Sequence, residues 1–254
     1  MTQGGAKGLV VFAARQGLTK VCLFTASPVS QTGENLFPVV VPKEEQDFAA
    51  LLDDNGISIL NAEYFPVIPD KDVADYEPTL ALAARLGAKR AISHIHERDP
   101  ARAEDQLAAL CSMAMQMDLE IGLEFTGFAP GCNSLDTAIK LHQKANQPNL
   151  TIAIDALHLF RTGGTMAQIQ TLDPEVVGYA QLCDGPHLQQ STSYIEEAMN
   201  RMIPGEGQFP LAALIDQLGE QVDWDIEVPQ YNYTPDFDPE KWAIRAIKAS
   251  KKLL

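Results

Sequence analysis

LEIGLEF (119–125) and LTIAIDA (150–156) are the segments that decide the fold. Both are nearly continuous apolar runs, which is typical of parallel strands that are buried on both faces. Five more runs of the same kind occur along the chain: KVCLF (20–24), ISILNAEYF (57–65), KRAISHI (89–95), VGYAQLCD (177–184) and WDIEVP (224–229). The sequence therefore predicts seven parallel strands.

Helix-like segments separate these strands almost from end to end. The predicted helices cover 44–55, 71–87, 100–117, 133–146, 165–171, 192–202, 209–219 and 238–252. The first of them is followed by Gly56, a residue type that commonly ends helices. Strands that alternate with helices over a whole chain favour a parallel sheet with right-handed crossovers.

Two α/β architectures have this order, a single (β/α)8 TIM barrel and an open doubly wound sheet. The GxGxxG signature that a dinucleotide-binding doubly wound sheet would carry after its first strand is absent, so we predict the barrel. Only seven strands are evident, and GLVVFAARQGL (8–18) is typical of a helix, so the first barrel strand is short or missing. Since no linker divides the chain, we predict one domain over residues 1–254.

Composition excludes several classes of protein. The chain has 254 residues, 46% of them hydrophobic, which is enough for one sizeable core. Its net charge of −15 disfavours nucleic acids and anionic membranes as partners. No apolar run approaches the ~18 residues of a membrane span, and we find no secretory signal. The four cysteines lie far apart without metal-binding spacing, so we expect reduced thiols and a cytoplasmic location.

Polar residues stand at the ends of four consecutive predicted strands. They are Glu124, Asp155, Gln181 and Glu227. A carboxylate at the end of a buried strand needs a partner or a metal ion. Carboxylate and amide oxygens are ligands that hard cations prefer. The pattern therefore predicts a site for Mg2+ or Mn2+, with Zn2+ or Co2+ as alternatives, where these strand ends converge.

Further candidates follow these strands. His158 comes three residues after Asp155 and is suited to acid–base work near neutral pH. Arg201 opens the segment RMIPGEG (201–207), whose Pro and Gly residues predict a tight loop. Arg201 and Arg161 could each hold a substrate carboxylate or phosphate through the planar guanidinium group, or could be structural residues. The loops at 25–42, 127–133, 185–195 and 229–238 are expected to set specificity.

Taken together, LEF ending at Glu124, DALHLFRTGG (155–164), QLCDGP (181–186), RMIPGEGQFP (201–210) and IEVP (226–229) resemble the xylose isomerase-like TIM barrel superfamily, which includes the AP endonuclease 2 family. The resemblance implies that the four strand-end residues bind the metal ion. It implies that Glu124, Glu227 and His158 are catalytic. It also implies that His94, Arg201 and Glu206 contact the substrate, and Arg161 remains a further candidate for substrate binding from its position after DALHLF.

The resemblance favours a metal-dependent isomerase or epimerase that acts on a sugar, sugar phosphate or polyol through an enediolate. The alternative is a metal-dependent dehydratase of the 3-dehydroshikimate or inosose type. Gln181 supports this alternative, because many epimerases have His at that position whereas some dehydratases have Gln. The His-rich cluster of the endonucleases is absent, and a non-catalytic relative would not be expected to keep all four ligand positions. A homo-oligomer is compatible with the resemblance.

Overall fold

The structure is a computed structural model that describes residues 4–28, 32–188 and 191–254. The seven strands in these ranges are β1 (Lys20–Phe24), β2 (Ser58–Glu63), β3 (Arg90–Ser93), β4 (Glu120–Glu124), β5 (Leu150–Asp155), β6 (Val177–Leu182) and β7 (Asp223–Ile226). The α-helices are α1 (Gly5–Arg15), α2 (Glu45–Asn55), α3 (Glu77–Arg85), α4 (Pro100–Met115), α5 (Leu135–Ala145), α6 (Ala156–Arg161), α7 (Met166–Thr171), α8 (Tyr194–Met199), α9 (Leu211–Leu218) and α10 (Pro239–Leu253). Parts of the predicted loops 25–42 and 185–195, namely 29–31 and 189–190, lie outside the described residues.

The chain divides into two compact units, which are described separately. The first unit consists of Met1–Leu123 and Lys144–Leu150, and the second of Glu124–Gln143 and Thr151–Leu254. In the first unit β1 pairs with β2, β2 with β3, and β3 with β4, always in parallel. In the second unit β5 pairs with β6 and β6 with β7, again in parallel. The α/β class and all seven predicted strands are thereby confirmed, and the prediction of a single domain stays a prediction.

The N-terminal segment is helical, as its sequence indicates. Helix α1 occupies the stretch in which a first barrel strand would be expected, and Lys20 begins the first strand found among the described residues. Val10 and Phe12 on this helix are buried. The expectation that the first strand is short or missing is therefore confirmed.

The strands are apolar because both of their faces are covered. All four residues of β3 are buried, and in β5 and β6 a single residue of each strand is partly exposed. Asp155 on β5 is the register partner of Gln181 on β6. The two polar side chains therefore lie at the same depth on neighbouring strands, as predicted.

Two helices differ from the prediction. No helix was predicted between 146 and 165, but α6 begins immediately after Asp155. The reason is that Oδ1 of Asp155 accepts the backbone N–H of His158 at 2.8 Å and so caps the helix. The helix predicted at 192–202 ends at Met199. Beyond it, the residues on either side of Arg201 form bridges, Asn200 with Gln230 and Met202 with Asp184.

No helix in the described ranges is both long enough and apolar enough to span a membrane. The cysteines Cys22, Cys111, Cys132 and Cys183 form no disulfide bonds in the structure.

Candidate metal centre and active site

Glu124, Asp155 and His158 form a buried cluster in the second unit. Glu124 ends β4, Asp155 ends β5, and His158 lies on the first turn of α6. Their exposed fractions are 5%, 0% and 2%. Each residue offers one potential ligand atom, and these three atoms all lie within 4.8 Å of one another. Because a protein-bound cation contacts its ligands at about 2–2.6 Å, this spacing allows all three to face the same ion.

Arg201 connects Asp155 with Glu227. Its Nη1 lies 2.5 Å from Oδ2 of Asp155 and 2.9 Å from Oε2 of Glu227. The Arg201 side chain is only 3% exposed, whereas 40% of the Glu227 side chain is exposed. Glu227 directly follows β7, and its backbone N–H donates to the carbonyl of Leu182 at the end of β6. A single guanidinium group therefore holds two of the predicted metal ligands.

Gln181 completes the predicted ligand set. Its Nε2 donates to Oε2 of Glu227 at 2.9 Å. Its Oε1 is buried and accepts no hydrogen bond from the residues that the structure describes. Burying a carbonyl oxygen without a donor costs about 1–3 kcal/mol, and the position of this one beside a cluster of carboxylates makes it a candidate ligand for a bound cation. The amide is therefore oriented with its nitrogen on a carboxylate and its oxygen available to a ligand.

The charges of this cluster shift the pKa values of its acids. Burial alone would raise the pKa of Asp155, but Arg201 and the N–H of His158 outweigh that effect and keep the pKa below its usual value. The pKa of Glu227 is raised by its partial burial and by the nearby Asp155 and Glu124, in spite of Arg201. One guanidinium group does not neutralise three neighbouring carboxylates. A divalent cation would supply the missing positive charge.

The residues present fit such a cation. Three carboxylates and an amide oxygen are hard donors of the kind that Mg2+ and Mn2+ prefer. His158 lies close enough to be a further ligand and would extend the range to Zn2+. The predicted ligands Glu124, Asp155, Gln181 and Glu227 are linked by the contacts above, and their role as ligands remains a prediction.

His158 has two different neighbours. Its Nε2 lies 3.5 Å from Oε1 of Glu124. Its Nδ1 lies 2.6 Å from the hydroxyl of Tyr194, the first residue of α8. The ring of Phe128 packs edge-on against the imidazole, with the centroids 5.8 Å apart. Tyr194 was not predicted from the sequence, because it lies in a polar segment without any motif and its partner is 36 residues away.

The loop that carries Arg201 is held by Asp184. This carboxylate is 1% exposed. It accepts the backbone N–H groups of Gly185, Gly205, Gly207 and Phe209 at 2.8–3.0 Å. The tight loop predicted from its Pro and Gly residues is thereby closed onto the end of β6. Gly207 is required because a Cβ there would lie 2.3 Å from Oδ1 of Asp184.

Two predicted substrate contacts have other partners in the structure. Nε of Arg161 pairs with Oε2 of Glu197 at 2.5 Å, and Nη1 donates to the carbonyl of His187 at 2.7 Å. Glu206 is exposed and pairs with Arg245 at 2.7 Å. The substrate roles of Arg161 and Glu206 remain predictions.

His94 belongs to the first unit. It follows β3, and its ring lies 5.0 Å from that of Tyr64 and 6.2 Å from that of His96, measured between centroids. Burial and the neighbouring His94 lower the pKa of His96. A role of His94 in substrate binding remains a prediction.

Comparisons with known proteins agree with the resemblance seen in the sequence. The sequence model of the family described as Xylose isomerase-like TIM barrel matches residues 10–253. A curated relative, the 3-dehydroshikimate dehydratase of Pseudomonas aeruginosa, is 30% identical over 118 residues. Those residues are 46% of this chain and 18% of the relative, so the match spans less than a fifth of that protein.

Solved structures show the same fold at low sequence identity. The IolI protein with a bound zinc atom has a TM-score of 0.81 and 17% identity, over 98% of this chain and 93% of that chain. The D-psicose 3-epimerase of Clostridium cellulolyticum, solved with D-tagatose, has a TM-score of 0.73 and 14% identity, over 98% and 93%. At these identities the similarity concerns the fold alone.

Proposed function

Because the chain belongs to the xylose isomerase-like TIM barrel family, with the α/β fold that its sequence predicts, we propose that it is a metal-dependent enzyme. It would remove a proton next to a carbonyl group of a small polyhydroxylated substrate. The observation that carries this proposal is the buried Oε1 of Gln181, which has no hydrogen-bond donor among the described residues. The amide nitrogen of the same side chain donates to the carboxylate of Glu227, so the oxygen lies beside the candidate metal ligands.

A divalent cation would be held by Glu124, Asp155, Gln181 and Glu227. When bound, it would supply positive charge that polarises a substrate carbonyl and favours loss of the adjacent proton. Asp155 is fully buried and paired, so it is suited to holding a charge in place rather than to exchanging protons. The other two carboxylates are the candidates for proton transfer.

Glu227 is the more accessible carboxylate of the pair. Its side chain is 40% exposed, whereas the side chain of Glu124 is only 7% exposed. We assign proton removal to Glu227, with Glu124 as the opposing acid–base group. Nε2 of His158, close to Glu124, would donate to an oxygen of the substrate. Phe128 and Tyr194 cover the other side of the imidazole and exclude water from it.

The reaction that we place first is a dehydration of the 3-dehydroshikimate type. Loss of a proton next to the ketone would leave an electron pair that expels the β-hydroxyl group, which departs as water after His158 protonates it. The support comes from the relative that is 30% identical over 118 residues and is named a 3-dehydroshikimate dehydratase. Gln181, in place of the His of many epimerases, also favours this reaction.

An isomerase or epimerase is the second candidate. The two arginines offered by the sequence for a substrate carboxylate, Arg161 and Arg201, are both paired with acids. This pairing favours a neutral sugar over an anionic substrate. The fold shared with a D-psicose 3-epimerase supports the same alternative. In this reaction the proton would return to the opposite face or to the neighbouring carbon, and no hydroxyl group would leave.

The test is to strip the protein with a chelator, reload it with Mn2+, and incubate it separately with 3-dehydroshikimate and with ketohexoses. Growth of the ultraviolet absorbance of a conjugated product with dehydroshikimate alone would support the dehydratase. Chromatographic interconversion of ketohexoses without any absorbance change would instead support the epimerase. If Mn2+ neither binds to the protein, as measured by elemental analysis, nor raises its unfolding temperature, the metal-dependent proposal is wrong.

A further inference from the structure

Phe128 is an aromatic residue beside the candidate site whose ring is partly open to solvent. It lies in the loop that follows β4. The centroid of its ring lies 5.8 Å from that of His158, with the two ring planes at 88°. Tyr194 is a second aromatic neighbour, with the centroids 6.0 Å apart. Nevertheless, 41% of Phe128 remains exposed. Part of the residue therefore packs on the histidine of the site, while another part is accessible to a ligand.

The turn that carries Phe128 is closed by hydrogen bonds. The N–H of Phe128 donates to Oγ1 of Thr126 at 3.3 Å, and the N–H of Ala129 donates to the carbonyl of Thr126 at 2.9 Å. The N–H of Gly127 donates to the hydroxyl of Tyr194 at 2.7 Å. Thr126 and Ala129 are fully buried. Because the residues on both sides of it are held in this way, Phe128 is presented at the surface in a defined position.

This position determines what the ring can contact. In the proposed function Nε2 of His158 donates to an oxygen of the substrate, which brings the carbon skeleton of the substrate towards the aromatic ring that packs on this histidine. The face of an aromatic ring is electronegative and attracts the weakly positive hydrogens of C–H groups. A six-membered carbocycle presents several such hydrogens together on one face. An open chain with a hydroxyl group on each carbon has no comparable flat apolar face.

We propose that Phe128 is a specificity-determining residue whose exposed ring surface packs against the C–H face of a cyclic, polyhydroxylated substrate. This inference rests on the proposed function and narrows it, because it selects carbocyclic ketones over open-chain ketoses. Polar groups and the cation would then hold the oxygens of the substrate, while Phe128 contacts its carbon atoms, a division of roles that is common in sites for small molecules.

The test uses two neutral probes that differ in ring closure, myo-inositol and sorbitol. They have the same number of carbons and of hydroxyl groups, and neither has a carbonyl group that could react. Binding to the Mg2+-loaded protein is followed by 1H NMR of the probe, which gives the Kd and the shift of the C–H signals in the bound state. The wild type should bind myo-inositol more tightly than sorbitol. It should also shift the C–H signals of myo-inositol upfield, because these hydrogens would lie over an aromatic ring.

Phe128→Leu keeps an apolar side chain and removes the aromatic face. It should raise the Kd for myo-inositol by about 2- to 10-fold, the effect of one aromatic contact, and abolish the upfield shift. The Kd for sorbitol should stay unchanged. Phe128→Tyr, which restores an aromatic ring, should retain both the affinity and the shift, and Phe128→Met replaces the leucine variant if that variant does not fold. Met115→Ala is the control, because it removes an exposed apolar side chain of α4 in the first unit and should change neither quantity.

An equal rise in Kd for both probes would show that Phe128 supports the site as a whole, and the specificity role would then be wrong. The inference would also be wrong if the wild type did not bind myo-inositol or did not shift its signals upfield, or if Phe128→Leu changed neither. The proposed function is decided separately, by turnover of 3-dehydroshikimate and of ketohexoses. If myo-inositol binds through Phe128 while neither substrate is turned over, the inference about the ligand class holds and the proposed reactions fail.

Discussion

Gln181 and Arg90 are both buried polar residues on strands, but their hydrogen bonding differs. Arg90 donates to Asn61 at 3.0 Å and to Glu120 at 2.6 Å, all within the first unit. Gln181 donates to Glu227, and its oxygen accepts nothing from the described part of the chain. A buried residue whose partners are protein groups serves the fold, whereas one with an unused oxygen beside carboxylates is suited to binding a ligand.

Arg90→Met should strongly destabilise the protein. The side chain is fully buried, and its removal leaves the buried oxygen of Asn61 without its donor. We expect the free energy of unfolding to fall by about 3 kcal/mol, measured by urea denaturation. Arg85→Met is the matched control, because Arg85 makes its ion pair with Glu45 at the surface and should cost less than about 1 kcal/mol. Equal losses for the two variants would contradict this reasoning.

Gln181→Met should weaken metal binding without unfolding the protein. The substitution removes the available amide oxygen, and we expect Mn2+ to bind at least about tenfold more weakly, which is about 1.4 kcal/mol, by isothermal titration calorimetry. The metal-free stability should change by less than about 1 kcal/mol, because the cost of the unsatisfied oxygen and the bond to Glu227 disappear together. Gln143→Met, at an exposed position of α5, should leave Mn2+ binding unchanged.

At the scale of elements, Asp184 fixes the loop between the bridge at Met202 and α9. Asn in its place would present an NH2 group to backbone N–H donors, so Asp184→Asn should lower the free energy of unfolding by about 3 kcal/mol. Hydrogen exchange should also accelerate at the amides of Gly205 and Gly207. Asp173→Asn, at an exposed helix cap, is the control and should be nearly neutral, since both residues cap well. Unchanged exchange at Gly205 and Gly207 would show that Asp184 does not hold the loop.

The strands could be predicted because burial on both faces leaves a local signal, a short apolar run. The candidate ligands Asp155 and Gln181 could be predicted for the same reason, since a polar residue at the end of such a run is conspicuous. Helix α6 was missed because ALHLFR is too short and too apolar to show a helical period, and its start depends on the cap formed by Asp155.

Pairings between distant side chains could not be predicted. Arg161 has the same charge and the same kind of position after a strand whether it binds a substrate or Glu197, which lies 36 residues further along the chain. Tyr194 likewise depends on Gly127, 67 residues before it. These partners are determined by the way the second unit packs, and no local pattern encodes that packing.

At the scale of the whole molecule, the net charge of −15 bears on how a metal ion affects stability. Any cation screens repulsion between surface acids, whereas the site proposed here would bind one divalent ion specifically. Binding to the folded state alone stabilises a protein by about 2.7 kcal/mol when the ligand concentration is 100 times Kd. For a chain of this length that corresponds to a rise in Tm of about 5–10 °C.

We therefore expect Mn2+ to raise the Tm of the chelator-treated protein by that amount in differential scanning calorimetry. Sodium chloride at equal ionic strength should raise it much less, because screening requires no site. Glu227→Gln should remove most of the Mn2+ effect, since it neutralises a carboxylate that stands beside Gln181 and Arg201. Glu175→Gln, which makes the same change at an exposed position, should retain the full effect. Equal responses to the two salts would mean that Mn2+ acts on the diffuse surface charge, and the four strand-end residues would then have no metal to hold.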